Sequence, residues 1–241
     1  MDKGHEDWLK RAEADSRSKQ ERFMQRIAER LKRPRLLEKP VHPFRGAPDA
    51  WREFEWSLEE RMARFTDHFL SAGGHVARLE DMEAVKGFIS GKAEEMGARR
   101  ILRQNDPLLE ELQLEKALAE AEVAVWNTGG GEAWTARAAE ADFGIVAADH
   151  AVAYTGSLIV KSAAERGRSV SLLPTVLFAV IPVERLKTRL GEVLDTFDEA
   201  GRAGLPAGIH FISGPSRSAD IENDLTIGVH GPGVVFALLV G

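Results

Sequence analysis

The chain has 241 residues, with 32 lysines and arginines against 38 aspartates and glutamates, and it contains no cysteine. The lack of cysteine excludes disulfides, thiolate nucleophiles, cysteine-ligated zinc and iron–sulfur clusters held by this chain's own thiolates. A hydrophobic content of 44% is enough for a sizeable core, and a net charge of −6 provides no electrostatic basis for nucleic-acid binding.

The first forty residues are polar and have a helical pattern with a narrow apolar stripe among arginines. The residues of this stripe are Phe23, Met24, Ile27 and Leu31. A proline-rich connector follows, up to Pro48. We therefore expect an N-terminal helical extension with its connector at 1–48 and an α/β domain at 49–241. The sequence shows neither a secretory signal nor an apolar run long enough to span a membrane, which predicts a cytoplasmic protein.

From Trp51 the chain follows helical and strand patterns in turn. A long amphipathic helix is predicted from Trp51 to the Gly73-Gly74 pair. Further helices are predicted at Met82–Met96, Leu108–Ala121, Glu132–Ala141 and Val183–Ala200. Strands are predicted at His75–Leu79, Arg99–Leu102, Val123–Trp126, Phe143–Ala147, Leu158–Lys161, Ser169–Leu173, Val176–Ile181, Ile209–Ser213 and Val234–Val240.

The alternation of strands with long helices predicts an α/β fold with an open, mainly parallel sheet and helices on both faces. Three strands are predicted between Leu158 and Ile181, and they are too closely spaced for helical crossovers. They suggest an antiparallel excursion within the sheet.

The segment from Ile209 to Glu222 is the richest in candidate functional groups. It is interpreted as a strand, a Gly-Pro turn and a helix with Ser218 as its N-cap. A helix N-terminus at the end of a parallel strand often binds anions. Asp220 and Glu222 would place negative charge there, so either Arg217 contacts an anion or the carboxylates act as acceptors, bases or ligands of metal-bound water.

Two other loops carry polar groups. Gly228–Gly233 is a glycine-rich turn that includes His230, and irregular loops on a rigid sheet are common places for a pocket. Ala153–Ser157 is equally compatible with a structural turn and with a hydroxyl-lined loop at the mouth of a pocket.

Asn127–Gly131 is interpreted as a surface turn, because the full phosphate-binding pattern is missing. Asp149 and His150 are adjacent on a strand, which favours opposite faces.

Five segments resemble the LUD-domain proteins. They are Ala141–Ile145, Ala151–Ser157, Arg168–Pro174, Ser213–Glu222 and Gly228–Pro232. The likeness is strongest over residues 140–232. Members of the family tend to carry an acidic residue just before the Thr/Ser-Gly pair, where this chain has Tyr154.

The resemblance implies an open α/β domain similar to the sugar-phosphate isomerase and CoA-transferase-like folds. It also implies a part in oxidising L-lactate to pyruvate with separate iron–sulfur subunits as partners. This chain itself is then expected to carry no cofactor, in line with its lack of cysteine, and homo-oligomerisation stays open.

Within this domain the pocket is assigned to the polar loops described above. The catalytic candidates are Glu222, Asp220 and His230. The candidate ligand-binding residues are Thr155, Gly156, Ser157, Gly214, Pro215, Ser216, Arg217, Ser218 and Gly231. Two alternatives stay open: a stand-alone transferase- or isomerase-like enzyme that binds a phosphorylated or CoA-bearing molecule, and a scaffold whose basic N-terminal helix docks the iron–sulfur partners.

Overall fold

The computed structural model describes residues 3–35, 37–38, 54–129, 133–219 and 225–241. The chain divides into two compact units, 1–52 and 53–241. In the first unit, helix α1 (Lys3–Arg30) carries exposed ion pairs at i,i+4 spacing, such as Arg17 with Glu13. Pairs of this kind contribute little to stability, so they support the helix only locally.

The second unit contains seven further helices and twelve strands in its described residues. The helices are α2 (Leu58–Ser71), α3 (Met82–Met96), α4 (Pro107–Glu110), α5 (Leu114–Ala117), α6 (Trp134–Glu140), α7 (Ser169–Leu172) and α8 (Leu190–Gly204). The strands are β1 (His75–Leu79), β2 (Arg100–Arg103), β3 (Glu122–Val125), β4 (Phe143–Ala147), β5 (His150–Val152), β6 (Ser157–Lys161), β7 (Val176–Pro182), β8 (Leu186–Lys187), β9 (Ile209–Ile212), β10 (Arg217–Ala219), β11 (Leu225–Ile227) and β12 (Val234–Val240).

Six strands form a parallel sheet in the order β1-β12-β7-β4-β2-β3. A second sheet has the order β8-β5-β6-β9, and β10 pairs with β11 in an antiparallel hairpin. The predicted fold class, an open and mainly parallel sheet flanked by helices, is confirmed. The antiparallel excursion forms this separate four-stranded sheet, in which β6 pairs antiparallel with both β5 and β9.

The core lies on both faces of the parallel sheet because its central strands are apolar at every position. One face packs against α3, α4 and α5 through residues such as Ile89 and Leu109. The other packs against α2, α6, α7 and the four-stranded sheet through residues such as Phe65 and Leu158. Helix α8 covers the far side of the four-stranded sheet through Val193.

Most predicted strands differ from the observed ones by one residue at an end, and three predicted helices differ by more. The helix expected from Trp51 begins at Leu58, because the Ser57 hydroxyl accepts a hydrogen bond from the Glu60 amide and caps it there. The helix expected at 108–121 is split into α4 and α5 by Gln113, which has a left-handed backbone with φ of 45°. The helix expected at 183–200 begins at Leu190, because 183–187 form a 3₁₀ turn and strand β8.

Two further predictions have the wrong type of structure. Ser169–Leu172 is helix α7 rather than a strand, because its buried residues Val170 and Ser171 pack as one helical turn over the sheet. Ser218 lies in strand β10 and is not an N-cap. Its register partner is Thr226 in β11, so this segment uses its backbone groups in a hairpin.

Candidate functional site

The predicted polar loops meet at the amino-terminal edge of the parallel sheet. Ser216 donates its amide to the Pro232 carbonyl at 2.9 Å, and Gly228 donates its amide to the Ser216 carbonyl at 3.0 Å. The glycine-rich loop leads into β12, so both segments lie where strands begin. The prediction that the 209–222 segment lies at the carboxyl end of a parallel strand is wrong, because β9 belongs to the four-stranded sheet and pairs antiparallel with β6.

Arg217 and Pro215 approach the turn that leads into β1. A Cβ added at Gly73 would lie 2.8 Å from Arg217 Nη2 and 3.7 Å from Pro215 Cγ. Gly73 also has a φ of +83°, so this position suits glycine for both its backbone and its neighbours. The Arg217 guanidinium therefore lies beside the turn that precedes β1, and the residue is exposed.

The Thr155–Ser157 loop joins the same region through hydroxyl contacts. Ser157 Oγ and Ser213 Oγ are 2.7 Å apart, at the end of the β6–β9 pair. His68 Nδ1 of helix α2 lies 2.8 Å from the Ala153 carbonyl oxygen, within hydrogen-bonding distance. His68 was not predicted as a site residue, and an isolated histidine on an amphipathic helix carries no signal that distinguishes it.

The predicted ligand-binding residues are thus brought together, but they differ in exposure. Gly156, Ser157 and Gly214 are buried and serve the packing of the loops, whereas Thr155 is exposed. Gly214 packs against Ala72, and Gly231 packs against Ser216. Pro215, Ser216, Ser218 and Gly231 are half-buried.

Of the three catalytic candidates, the structure describes only His230. His230 lies in the glycine-rich loop with an exposed side chain. Asp220 and Glu222 lie outside the described residues, so their place in the site stays a prediction. Among the candidates that the structure describes, Arg217 and His230 are the exposed cationic or titratable groups of this edge.

A second polar cluster lies at the opposite, carboxyl-terminal edge of the sheet. Arg166 donates from Nη1 and Nη2 to the Asp149 carboxylate at 2.9 and 3.2 Å. Its Nε lies 3.3 Å from Asp106 Oδ2, and Arg103 pairs with Glu115 at 2.7 Å. Sequence reasoning missed this cluster, since its members come from separate loops and form no local motif.

The histidines of the four-stranded sheet do not form a catalytic pair. His150 is in register with Ile159, on the face towards α8, and His210 is in register with Val160, on the face towards the large sheet. Burial lowers the pKa of both imidazoles, with Lys161 adding to the effect at His150 and Arg168 at His210. Both rings are therefore favoured as neutral groups at pH 7.

Two surface cavities lie away from the predicted loops. One of about 480 Å³ is bordered by the end of α3 and by residues 117–121. Another, of about 300 Å³, lies beside β2, β3 and α6.

Within the described part of the chain, no group of three or more histidine, aspartate or glutamate residues is arranged to hold a metal ion. No helix there is long and apolar enough to cross a membrane.

Replacing Gly156 with alanine is expected to destabilise the domain by at least about 1–2 kcal/mol, because residues with a side chain are strained at its φ of +57°. The added Cβ would also lie 2.7 Å from His68 Cβ. Chemical denaturation measures the effect. Gly87→Ala is the control, since this mid-helix glycine has open space around it and the change should stabilise by about 0.5–1 kcal/mol. Equal effects of the two changes would contradict the steric reason given for Gly156.

The protein has a six-stranded parallel sheet with helices on both faces and a four-stranded sheet packed on one of them. Glycine-rich polar loops lie at the amino-terminal edge of the parallel sheet. These features place it in the class of α/β domains. The LUD domain model matches residues 62–240, so the chain belongs to the LUD-domain family. The family predicted from the sequence motifs is confirmed.

Two relatives show which members of the LUD-domain family the chain is similar to. The chain is similar to lactate utilization protein C of Halalkalibacterium halodurans, with 33% identity over 219 residues that cover 89% of this chain and 94% of the relative. It is also similar to lactate utilization protein C of Bacillus subtilis, with 29% identity over 88% of this chain and 92% of the relative. A crystal structure of a DUF162 family protein from Deinococcus radiodurans matches with a TM-score of 0.58 at 20% identity, over 77% of this chain and 99% of that one, and supports the fold.

Proposed function

We propose that this protein is the cluster-free subunit of an L-lactate utilisation system that oxidises lactate to pyruvate in the cytoplasm. The observation that carries the proposal is its similarity, over nearly the full length of both chains, to relatives named lactate utilization protein C. Membership of the LUD-domain family supports it as well.

The redox step is assigned to separate iron–sulfur subunits. Oxidation of lactate to pyruvate removes two electrons and two protons, which a protein without a redox cofactor cannot accept. This chain has no cysteine to hold a cluster and no complete dinucleotide-binding pattern. Its own part is therefore to bind a ligand or a partner through the loops at the amino-terminal edge of the sheet.

The isolated chain is expected to be colourless and free of iron, whereas material co-purified from its native host should contain iron and cysteine-rich partner subunits. Metal analysis and visible absorption of both samples measure this difference. Stoichiometric iron in the isolated chain would contradict the assignment of the clusters to partners. Native material without any iron-containing partner would contradict the subunit role and favour a stand-alone enzyme.

Growth on L-lactate tests the role of the loops. A strain lacking the gene should fail to grow on L-lactate and recover with the wild-type gene. His230→Ala and Glu222→Gln are each expected to abolish this recovery if the loops form the functional site. Val229→Ala is the matched control for His230, because Val229 is an exposed neighbour in the same loop. Normal growth with both site variants, at wild-type protein levels, would exclude His230 and Glu222 as catalytic residues and favour the scaffold.

A further inference from the structure

Helix α1 exposes nearly all of its surface to solvent. Residues 4–26 are all exposed, and the large apolar side chains among them include Phe23, with 63% of its surface exposed, and Trp8, with 61%. Most of the stability of a helix in a folded protein comes from packing of its apolar face, not from its own hydrogen bonds. A 28-residue helix with its apolar side chains in water therefore indicates a missing partner surface.

The apolar residues of α1 extend along one side of the helix, here called the α1 face. Its positions are spaced by three or four residues, which places them in one row along a helix. They are Leu9, Ala12, Ser16, Gln20, Phe23, Ile27 and, directly after the helix, Leu31. The α1 face thus has apolar residues towards each end and two polar residues in the middle.

The order of residues along the α1 face is nearly the same from either end. Leu9 and Ile27 each lie nine residues from Ser18, and Ser16 and Gln20 each lie two residues from it. Two copies of α1 packed antiparallel, with a two-fold axis level with Ser18, would place Leu9 opposite Ile27 and Ser16 opposite Gln20. The Gln20 carboxamide can donate to the Ser16 hydroxyl, so the polar middle would also be satisfied. A partner of a different sequence would not require this symmetry.

The charges of α1 favour the same arrangement. Lys3–Ser16 contains three basic and four acidic residues, whereas Arg17–Arg30 contains five basic and two acidic residues. Antiparallel packing brings each acidic half next to the basic half of the other copy, and parallel packing would bring the two basic halves together. The four carboxylates of the first half also disfavour an anionic membrane, which amphipathic helices bind through polar faces rich in lysine and arginine.

We propose that α1 is a dimerisation helix, whose α1 face packs antiparallel against the α1 face of a second copy of this chain. Each copy supplies Leu9 to the other's Ile27, so every contact of the interface occurs twice. Dimerisation removes the exposed apolar side chains of both helices from water. The inference concerns the first compact unit alone and does not rest on the proposed function.

Sedimentation equilibrium of the full-length protein measures its oligomeric state. We expect a reversible dimer. Leu9→Glu and Ile27→Glu should each raise the dissociation constant of the dimer at least about tenfold, because each change places two carboxylates in the interface. Ala14→Glu is the control, since Ala14 is exposed on the opposite side of the helix and its replacement should leave the dimer intact. A protein that stays monomeric at every concentration, or a dimer of unchanged affinity in both α1-face variants, would overturn the proposal.

Engineered cysteines measure the direction of pairing without introducing a charge, because the chain has no cysteine of its own. Leu9→Cys and Ile27→Cys should each form no disulfide-linked dimer alone, since the two copies of either residue would lie about 27 Å apart in the antiparallel pair. An oxidised mixture of the two variants should form the dimer. Disulfide-linked dimers of either variant alone would indicate parallel packing and overturn the proposal.

Vesicles containing an anionic phospholipid test the alternative that a membrane covers the α1 face. Co-sedimentation with these vesicles should be weak and should not change in Ile27→Glu. Strong binding of the wild-type protein as a monomer, lost in Ile27→Glu and kept in Ala14→Glu, would identify a lipid surface as the partner and overturn the proposal.

Discussion

Replacing Phe178 with alanine is expected to lower the free energy of unfolding by about 3–5 kcal/mol. Phe178 is fully buried in the centre of β7. Its ring lies 4.9 Å from the rings of both Phe143 in β4 and Phe236 in β12, measured between centroids. The substitution therefore leaves a cavity in the middle of three neighbouring strands, where little of the surrounding structure can move in to fill it.

The loss is a large fraction of the total stability of an ordinary domain, which is about 5–15 kcal/mol. Urea denaturation followed by circular dichroism measures it. Phe211→Ala is the control, because Phe211 lies on β9 with 46% of its surface exposed and should cost less than about 1 kcal/mol. A similar small loss for Phe178→Ala would show that the ring contacts do not hold the sheet together.

Replacing Arg166 with methionine is expected to destabilise the domain by about 3 kcal/mol. The Asp149 side chain is 9% exposed and the Asp106 side chain 14% exposed, and both face the Arg166 guanidinium. Without the guanidinium these carboxylates lose a buried counter-charge, and the Ala147 carbonyl loses its donor. The loss should therefore exceed that of a surface ion pair several-fold.

The control is Arg100→Met, which removes an exposed pair with Glu140 and should cost less than about 1 kcal/mol. Adding Asp149→Asn to Arg166→Met should recover part of the loss, because the double variant no longer buries a carboxylate whose remaining counter-charge is the partly exposed Lys161 ammonium, 3.4 Å away. The carboxamide oxygen that replaces the carboxylate would still accept a hydrogen bond from the Lys161 amide, as Asp149 does. A double variant less stable than Arg166→Met would contradict the electrostatic reason given for the loss.

Several elements could be predicted from the sequence because their local pattern and their tertiary surroundings agree. Helix α3 has the predicted bounds, since Asp81 caps its start through the Ala84 amide and Gly97 ends it in a left-handed conformation. Strands β4 and β12 also have the predicted bounds, because continuous apolar runs of this length suit a strand buried on both faces. The motifs of the polar loops were specific enough to predict the LUD-domain family.

Tertiary contacts alone decided the short elements and the positions of the charged groups. Ser218 followed by acidic residues is typical of a helix start, yet the pairing of β10 with β11 makes this segment a strand. Gln104 and Arg166 lie far apart in the chain, and both bond to the backbone of Ala147, at the end of β4. Short segments and loop side chains make few local contacts, so their structure depends on hydrogen bonds and ion pairs with distant residues, which no local pattern records.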